Sequence, residues 1–203
     1  MHYDSWASGY DEDTRRFGWC APAKVVEAVS SRIAIDSGLR VLDLGVGTGQ
    51  CSAPFLDAGA TVVGVDASQP MLTEAARRGT FARLEALTLG EGSLARALGS
   101  ERPFDVVMAC GVLHFVADLG PLLADLRVLT RTGAIVSLTT IGPQPRAFGA
   151  TTTLHPPHKV QSWLEDAGLT VAHQGAFVAY HDQGNPDDPV TYTLTVGVAR
   201  RVW

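Results

Sequence analysis

The chain has 203 residues, which at roughly 150 residues per domain leaves room for one domain over residues 1–203 and none for a second full catalytic domain. Hydrophobic residues make up 46% and charged residues 18%, enough apolar material for a packed core and too little charge for a disordered chain. Sixteen Lys plus Arg against twenty-one Asp plus Glu give a formal net charge of -5, the wrong sign for a surface that neutralises a run of phosphates, so no nucleic-acid partner is expected.

In chain order, the opening MHYDSWASGYDEDTRR is polar, aromatic and acidic, where a secretory leader needs a basic start and an apolar centre, so a cytoplasmic location is expected. Tyr3, Trp6, Tyr10 and Trp19 are many rings for a free tail. They fit an amphipathic lid segment over residues 1–20 that closes on bound ligands, or rings that pack this segment on the body of the protein. Pro22 opens a helical pattern through Val25, Val26, Ala28, Val29 and Ile33, and Ser37-Gly38 stops it. Leu39 to Leu44 reads as a buried strand that runs into the glycines of GVGTG and a helix from about Gln50 to Ala58. Next come a strand at Thr61 to Val65, a helix at Gln69 to Arg78 and a less regular strand at Phe81 to Leu89. A short helix at Ser93 to Leu98 leads to a strand at Phe104 to Cys110, a helix at Gly120 to Thr130 and a strand at Gly133 to Thr140. After a helix from about His158 to Ala167, the strand-like segments Thr170 to Tyr180 and Val190 to Val202 are joined by HDQGNPDDP, a link that suits an antiparallel hairpin.

Strand alternating with helix predicts an α/β fold. Seven strands form a mostly parallel sheet with helices on both faces, and the last strand of a C-terminal hairpin enters antiparallel near one edge. The longest apolar runs, such as Val106 to Cys110, are far shorter than the roughly 20 residues that cross a bilayer, so no membrane partner is expected. Cys20, Cys51 and Cys110 are widely spaced with no CxxC pair, which suggests neither a disulfide framework nor a zinc site.

The most informative run is Val41-Leu42-Asp43-Leu44-Gly45-Val46-Gly47-Thr48-Gly49-Gln50. Glycines between a strand and a helix let the backbone bend sharply and let a ligand approach the main chain. Gln50 stands where a dinucleotide fingerprint wants its third glycine. Asp43 at the strand end suits a ligand carrying an ammonium or sulfonium charge better than a pyrophosphate. Asp66, at the end of the second strand, is placed to accept hydrogen bonds from two ribose hydroxyls, and it also suits a helix N-cap.

DLGVGTG followed by VVGVDASQPML resembles motifs I and II of the class I S-adenosylmethionine-dependent methyltransferases, and the resemblance runs through FDVV and the LTRTG turn to the terminal hairpin. The opening YDSWASGYDEDTRR and GWCAP are similar to small methyltransferases of the Williams-Beuren region type. The resemblance implies a Rossmann-like fold with S-adenosyl-L-methionine as cofactor. It places Asp43, Gly45 and Gly47 at the methionine moiety, Asp66 at the ribose, and Ala67 and Met71 near the adenine. Glu91 in LGEGSL would accept from the adenine amino group, with Gly92 and Ser93 beside it. Cys110 would line the cofactor at the end of the fourth strand, and Tyr3, Trp6 and Tyr10 would close over it.

Ala109-Cys110-Gly111-Val112 stands where enzymes that methylate nucleic-acid bases or glutamine carry an Asn-Pro-Pro-aromatic run, which disfavours those acceptors. Thr139-Thr140-Ile141-Gly142 lacks the acid and amide cluster by which metal-dependent catechol O-methyltransferases hold magnesium, so no metal is expected. Methyl transfer is an in-line displacement that depends first on placing the acceptor. His114 in GVLHFV is the candidate general base, or else a residue that orders its loop or lines the cofactor. His155 and His158 flank two prolines that oppose metal-ligand geometry, and His173 and His181 read as surface. Pro143, Pro145, Phe148 and the TTT run form a second wall suited to a small organic acceptor. The expected activity is methyl transfer to an O, N or S atom of a small molecule by a monomer or homodimer. The alternatives are a nicotinamide-dependent oxidoreductase and a cofactor-binding module without transfer.

Overall fold

The computed structural model describes residues 2–99, 103–142, 152–181 and 187–200. Two short helices, α1 (His2–Trp6) and α2 (Tyr10–Arg16), precede α3 (Ala21–Ser30), whose first turn carries the expected proline. Then follow β1 (Arg40–Leu44), α4 (Ala53–Asp57), β2 (Thr61–Asp66), α5 (Gln69–Arg78), β3 (Arg83–Ala86), α6 (Leu94–Leu98) and β4 (Phe104–Ala109). A 3-10 turn at Leu113–Phe115 leads to α7 (Leu119–Ala124), α8 (Leu126–Leu129), β5 (Thr130–Ile141), α9 (Pro157–Asp166), β6 (Leu169–His181) and β7 (Pro189–Ala199).

The seven strands lie in the order β3-β2-β1-β4-β5-β7-β6. β1 to β5 pair in parallel, and β7 slots antiparallel between β5 and β6, as the hairpin link predicts. Residues alternate between two cores because successive side chains of a strand point to opposite faces. Leu42, Leu44, Val63, Val65, Val107 and Val136 bury one face with Leu119, Leu123, Val160 and Leu164 of the later helices. Val41, Val62, Val106, Met108 and Ile135 bury the other with Val25 and Val29 of α3 and Phe55 of α4. Asp105 seals the start of β4, accepting from the Arg40 backbone N–H at 2.7 Å and pairing with Arg131.

Several elements differ from the sequence-based expectation: β3 keeps only Arg83–Ala86 of the strand expected over Phe81 to Leu89, and β5 starts at Thr130 rather than Gly133. The helix after the glycines begins at Ala53 rather than Gln50, because Gly49 takes a φ of 82° and the Ser52 hydroxyl is bonded to Asp43. The helix expected over Gly120 to Thr130 divides at Asp125, whose carboxylate accepts from the Ser93 hydroxyl and the Ala95 N–H, each at 3.0 Å, and so joins α6 to this bend. β7 ends at Ala199, and residues 201–203 of the strand expected to reach Val202 lie outside the described residues. No described helix is long and apolar enough to cross a membrane.

Candidate active site

β1 and β2 end side by side, and the glycine bend between β1 and α4 folds over their carboxyl ends. The N–H groups of Gly45 and Val46 both donate to the Val65 carbonyl, at 2.8 and 2.9 Å, which pins the bend to the neighbouring strand. Gly45 adopts a φ of 67°, and a Cβ there would meet Val112 Cγ2 at 2.4 Å and Val112 Cβ at 2.5 Å. Only glycine gives both the left-handed conformation and the close approach.

The two acids sit where the sequence put them. Asp43 is buried beneath the bend and accepts from Ser52 Oγ at 2.6 Å. Burial, with the Asp66 charge adding, pushes its carboxyl up to about 7 against the opposing Ser52 bond. At the end of β2, Asp66 Oδ2 accepts from the Gly47 N–H and Oδ1 from the Ser68 N–H, both at 2.9 Å. Each oxygen keeps a further lone pair for a ligand hydroxyl. Burial raises its carboxyl as well, against these backbone bonds.

Three neighbouring cavities open around these groups. The largest, about 430 Å³, is lined by Tyr3, Tyr10, Gly45, Gly47, Asp66, Ala67, Met71 and Cys110, together with Leu87, Thr88 and Leu89 beyond β3 and Gly111, Val112, Phe115 and Val116 beyond β4. A hollow of about 40 Å³ beside it reaches Asp43, Gly45, Gly47 and Cys110. The third, about 270 Å³, is lined by Trp6, Tyr10, Phe17, Trp19, Tyr180 and Tyr192, and by His114. Tyr10 borders all three, and Tyr3 and Gly111 are shared between the largest and the ring-walled chamber.

Of the residues singled out from sequence, Glu91, Gly92 and Ser93 are not brought into these cavities. All three are exposed. Ser93 caps α6, accepting from the Arg96 N–H at 3.2 Å, and the lining on this side comes from Leu87, Thr88 and Leu89. Trp6 faces the ring-walled chamber rather than the largest cavity. His114 is buried in the 3-10 turn with its ring centroid 4.1 Å from that of Phe115. Burial, with His155 adding, holds its imidazole down at about 4, so it is neutral at physiological pH. His155 Nε2 donates to the Val116 carbonyl at 2.9 Å, which orders the segment after the fifth strand over this turn. Pro143, Pro145, Phe148 and Thr151 lie outside the described residues. Among the described residues, no group of three or more His, Cys, Asp or Glu is placed to hold a metal.

A polar clasp that no local sequence pattern marks holds the N-terminal segment on the glycine bend. Asp11 Oδ1 accepts from Thr48 Oγ1 at 2.6 Å and Gln50 Nε2 at 2.8 Å, and its Oδ2 pairs with Arg78. Burial alone would raise the Asp11 carboxyl, but the Thr48 and Gln50 bonds and the guanidinium outweigh it and hold the carboxyl below its usual range. Arg78 Nε in turn donates to the Thr48 carbonyl at 2.7 Å. Asp4 Oδ1 accepts from Ser68 Oγ at 2.6 Å, two residues from Asp66. An acidic run such as Asp11-Glu12-Asp13 reads as a solvated helix face, and no local pattern marks one of its members as a partner of residues 37 and 39 positions away.

Residues 42–136 match a family model described as a methyltransferase domain. The chain is 33% identical over 187 residues to the ubiquinone biosynthesis O-methyltransferase of Caulobacter vibrioides, a match that covers 78% of this chain and 72% of that protein. Matches to further relatives of that description span as little as 43% of their length. Among solved structures, the 1,6-didemethyltoxoflavin-N1-methyltransferase of Burkholderia thailandensis, with 1,6-didemethyltoxoflavin and S-adenosylhomocysteine bound, superposes with a TM-score of 0.71 at 20% identity over 97% of this chain and 84% of that one. The magnesium protoporphyrin IX methyltransferase of Synechocystis PCC 6803, with S-adenosylmethionine bound, gives a TM-score of 0.67 at 20% identity over 93% and 82%.

Proposed function

Because the chain belongs to the class I S-adenosylmethionine-dependent methyltransferases, we propose that its cofactor fills the 430 Å³ cavity and its acceptor the ring-walled chamber of about 270 Å³. In this reading Asp66 accepts from the ribose hydroxyls, Ala67, Met71 and Leu87 to Leu89 flank the adenine, and Asp43 faces the ammonium end through the small hollow. The residues fit the group, since a Cβ at Gly45 would close the bend and Asp66 keeps lone pairs turned into the cavity wall. When bound, the sulfonium supplies an activated methyl group. The protein's work is to place an acceptor in line with it and to exclude water. The observation that carries the reading is the pair of carboxylates at the ends of β1 and β2, beneath a glycine bend that borders a cavity sharing the lining residues Tyr3, Tyr10 and Gly111 with a second one. Calorimetric titration with S-adenosylhomocysteine and with NAD tests it. Saturable binding of the first and none of the second is expected, and binding of NAD alone overturns it.

The chemistry of the two acids predicts a proton signature. An acid whose pKa in the folded protein is raised to about 7 adds stability that is full below the unfolded value near 4 and is lost as pH rises through 7. A cationic ligand beside Asp43 reverses this by favouring the carboxylate, so binding near pH 6 should expel a proton. Titrations of S-adenosylhomocysteine in two buffers of different ionisation enthalpy are expected to show proton release at pH 6 and much less at pH 8. Asp43→Asn is expected to remove the difference, and equal heats in both buffers for the unaltered protein would show that Asp43 does not meet the ligand's charge.

Residues 1–20 act as the lid in this reading, clasped through Asp11 to Thr48, Gln50 and Arg78. Asp11→Ala removes three partners at once and is expected to weaken S-adenosylhomocysteine binding by about 0.5–1.5 kcal/mol, the net scale of one hydrogen bond. Trypsin cleavage after Arg15 and Arg16 reads the lid directly. Saturating ligand should slow it in the unaltered protein and protect the variant far less, whereas equal protection would place the clasp outside the binding event.

A further inference from the structure

We propose that the acceptor is an uncharged, planar heteroaromatic compound of one or two rings, methylated on a ring nitrogen whose lone pair lies in the ring plane. The proposal rests on the methyltransferase reading above and specifies the chemistry of its acceptor.

The chamber is a box of ring faces and edges. Trp6 and Tyr10 stand edge to face with centroids 4.8 Å apart and planes at 70°, and Trp19 meets Tyr180 and Tyr192 in the same way at 5.6 and 5.4 Å, both at 72°. Its volume of about 270 Å³ lies at the small end of ligand sites. Such walls reward a flat ring by stacking and edge contacts. None of the described residues that line it is Asp, Glu, Lys or Arg. An acceptor with a carboxylate would therefore lose its hydration without gaining a counter-ion from these residues. The Thr14 hydroxyl on this wall is already committed to the Tyr10 carbonyl at 2.8 Å.

Among the described residues that line the chamber, none takes a proton readily at neutral pH. His114 is the imidazole that borders the chamber, and its pKa is lowered to about 4. Drawing a proton from a phenol of ordinary pKa, about 10, onto such a group is disfavoured on the order of a million-fold. Burial pushes the phenols of Tyr10 and Tyr192 upward, so they remain protonated and serve as donors rather than bases. Aliphatic amines and thiols face the same obstacle, because they too carry at neutral pH a proton that must leave before attack. A ring nitrogen with an in-plane lone pair carries none. The lone pair forms the N–C bond to the methyl carbon as the C–S bond breaks with both electrons going to sulfur. The positive charge passes from sulfur to the ring nitrogen, and no proton moves. The surrounding π-faces then meet a cation, which they stabilise.

Three probes of one two-ring size test this on the full chain: isoquinoline, 2-naphthol and 2-naphthoate. Each is titrated calorimetrically into protein saturated with S-adenosylhomocysteine, and each is assayed for methyl incorporation from labelled S-adenosylmethionine. Isoquinoline is expected to bind at least tenfold more tightly than 2-naphthoate. It should yield N-methylisoquinolinium at least tenfold faster than 2-naphthol is methylated, at a rate level between pH 7 and 9. Tyr180→Leu should weaken isoquinoline binding at least fivefold while S-adenosylhomocysteine affinity stays within twofold, and Tyr180→Phe should restore it. Methylation of 2-naphthol as fast as isoquinoline, 2-naphthoate bound as tightly, or isoquinoline bound but unmethylated would each overturn the proposal. So would no isoquinoline binding by protein that binds S-adenosylhomocysteine. Protein that fails to bind S-adenosylhomocysteine contradicts the methyltransferase reading beneath it instead.

Discussion

Gly45→Ala is expected to cost S-adenosylhomocysteine binding about 2–5 kcal/mol, from roughly 1–2 for an L-residue held in left-handed backbone and 1–3 for forcing a methyl into packed atoms. Both costs are set by geometry. The backbone holds a φ of 67°, and the new Cβ would stand 2.4–2.8 Å from three atoms of Val112. Val112 itself borders the large cavity, so displacing it reshapes the wall that faces the ligand. The bend can relieve the overlap only by pulling Gly45 and Val46 away from the Val65 carbonyl, which would unpin the loop from β2. Thermal unfolding alongside calorimetry separates lost fold from lost site. The double variant Gly45→Ala with Val112→Gly removes the three opposing atoms and should recover about half the loss, leaving the backbone cost. Affinity unchanged in Gly45→Ala would show that the bend does not cradle the ligand.

Asp66→Ala is the second large effect, an expected loss of about 1.5–3 kcal/mol of cofactor affinity, the range for hydrogen bonds to a charged group, or roughly 10- to 150-fold. The carboxylate does two things at once. It holds the Gly47 and Ser68 N–H groups at 2.9 Å, keeping the glycine bend and the start of α5 in register. Its remaining lone pairs face the cavity that it lines. Asp66→Asn distinguishes these roles, since its amide can hold only one of the two backbone donors and offers one carbonyl to a ribose. An intermediate loss in Asn is expected, and an affinity equal to the unaltered protein in both variants would remove Asp66 from the ligand site.

What could be read from the sequence is what is local in the chain. The bend at Gly45 to Gly49 is written in consecutive residues, because left-handed backbone and close approach both demand glycine. The acids at the ends of β1 and β2 follow from strand periodicity. The antiparallel entry of β7 follows from a link too short and too rich in turn residues for a crossover helix. What could not be read depends on distant pairing. Asp11 meets Arg78 across 67 positions, and nothing near Asp11 separates it from its acidic neighbours. Phe17, Tyr180 and Tyr192 join Trp6 and Trp19 in one chamber only because β6 binds back the N-terminal segment, through Cys20 N–H to the Ala179 carbonyl at 2.9 Å and His181 N–H to the Phe17 carbonyl at 3.1 Å. Glu91 shows the converse. A local motif suggested a ligand contact, yet turns at Gly90 and Gly92, with φ of 88° and 83°, leave its side chain on the surface. His114 was legible as a residue at the carboxyl ends of the strands, but its low basicity arises from burial beside His155, which lies 41 residues away in the chain.

A crystal structure of the protein with S-adenosylhomocysteine bears most directly on the account. The ribose is expected on Asp66, the adenine beside Met71 and Leu87, and the sulfur at the junction formed by Tyr10 and Gly111, turned toward the ring-walled chamber. The nucleoside bound elsewhere, or bound in the large cavity with its sulfur directed away from that chamber, would contradict it.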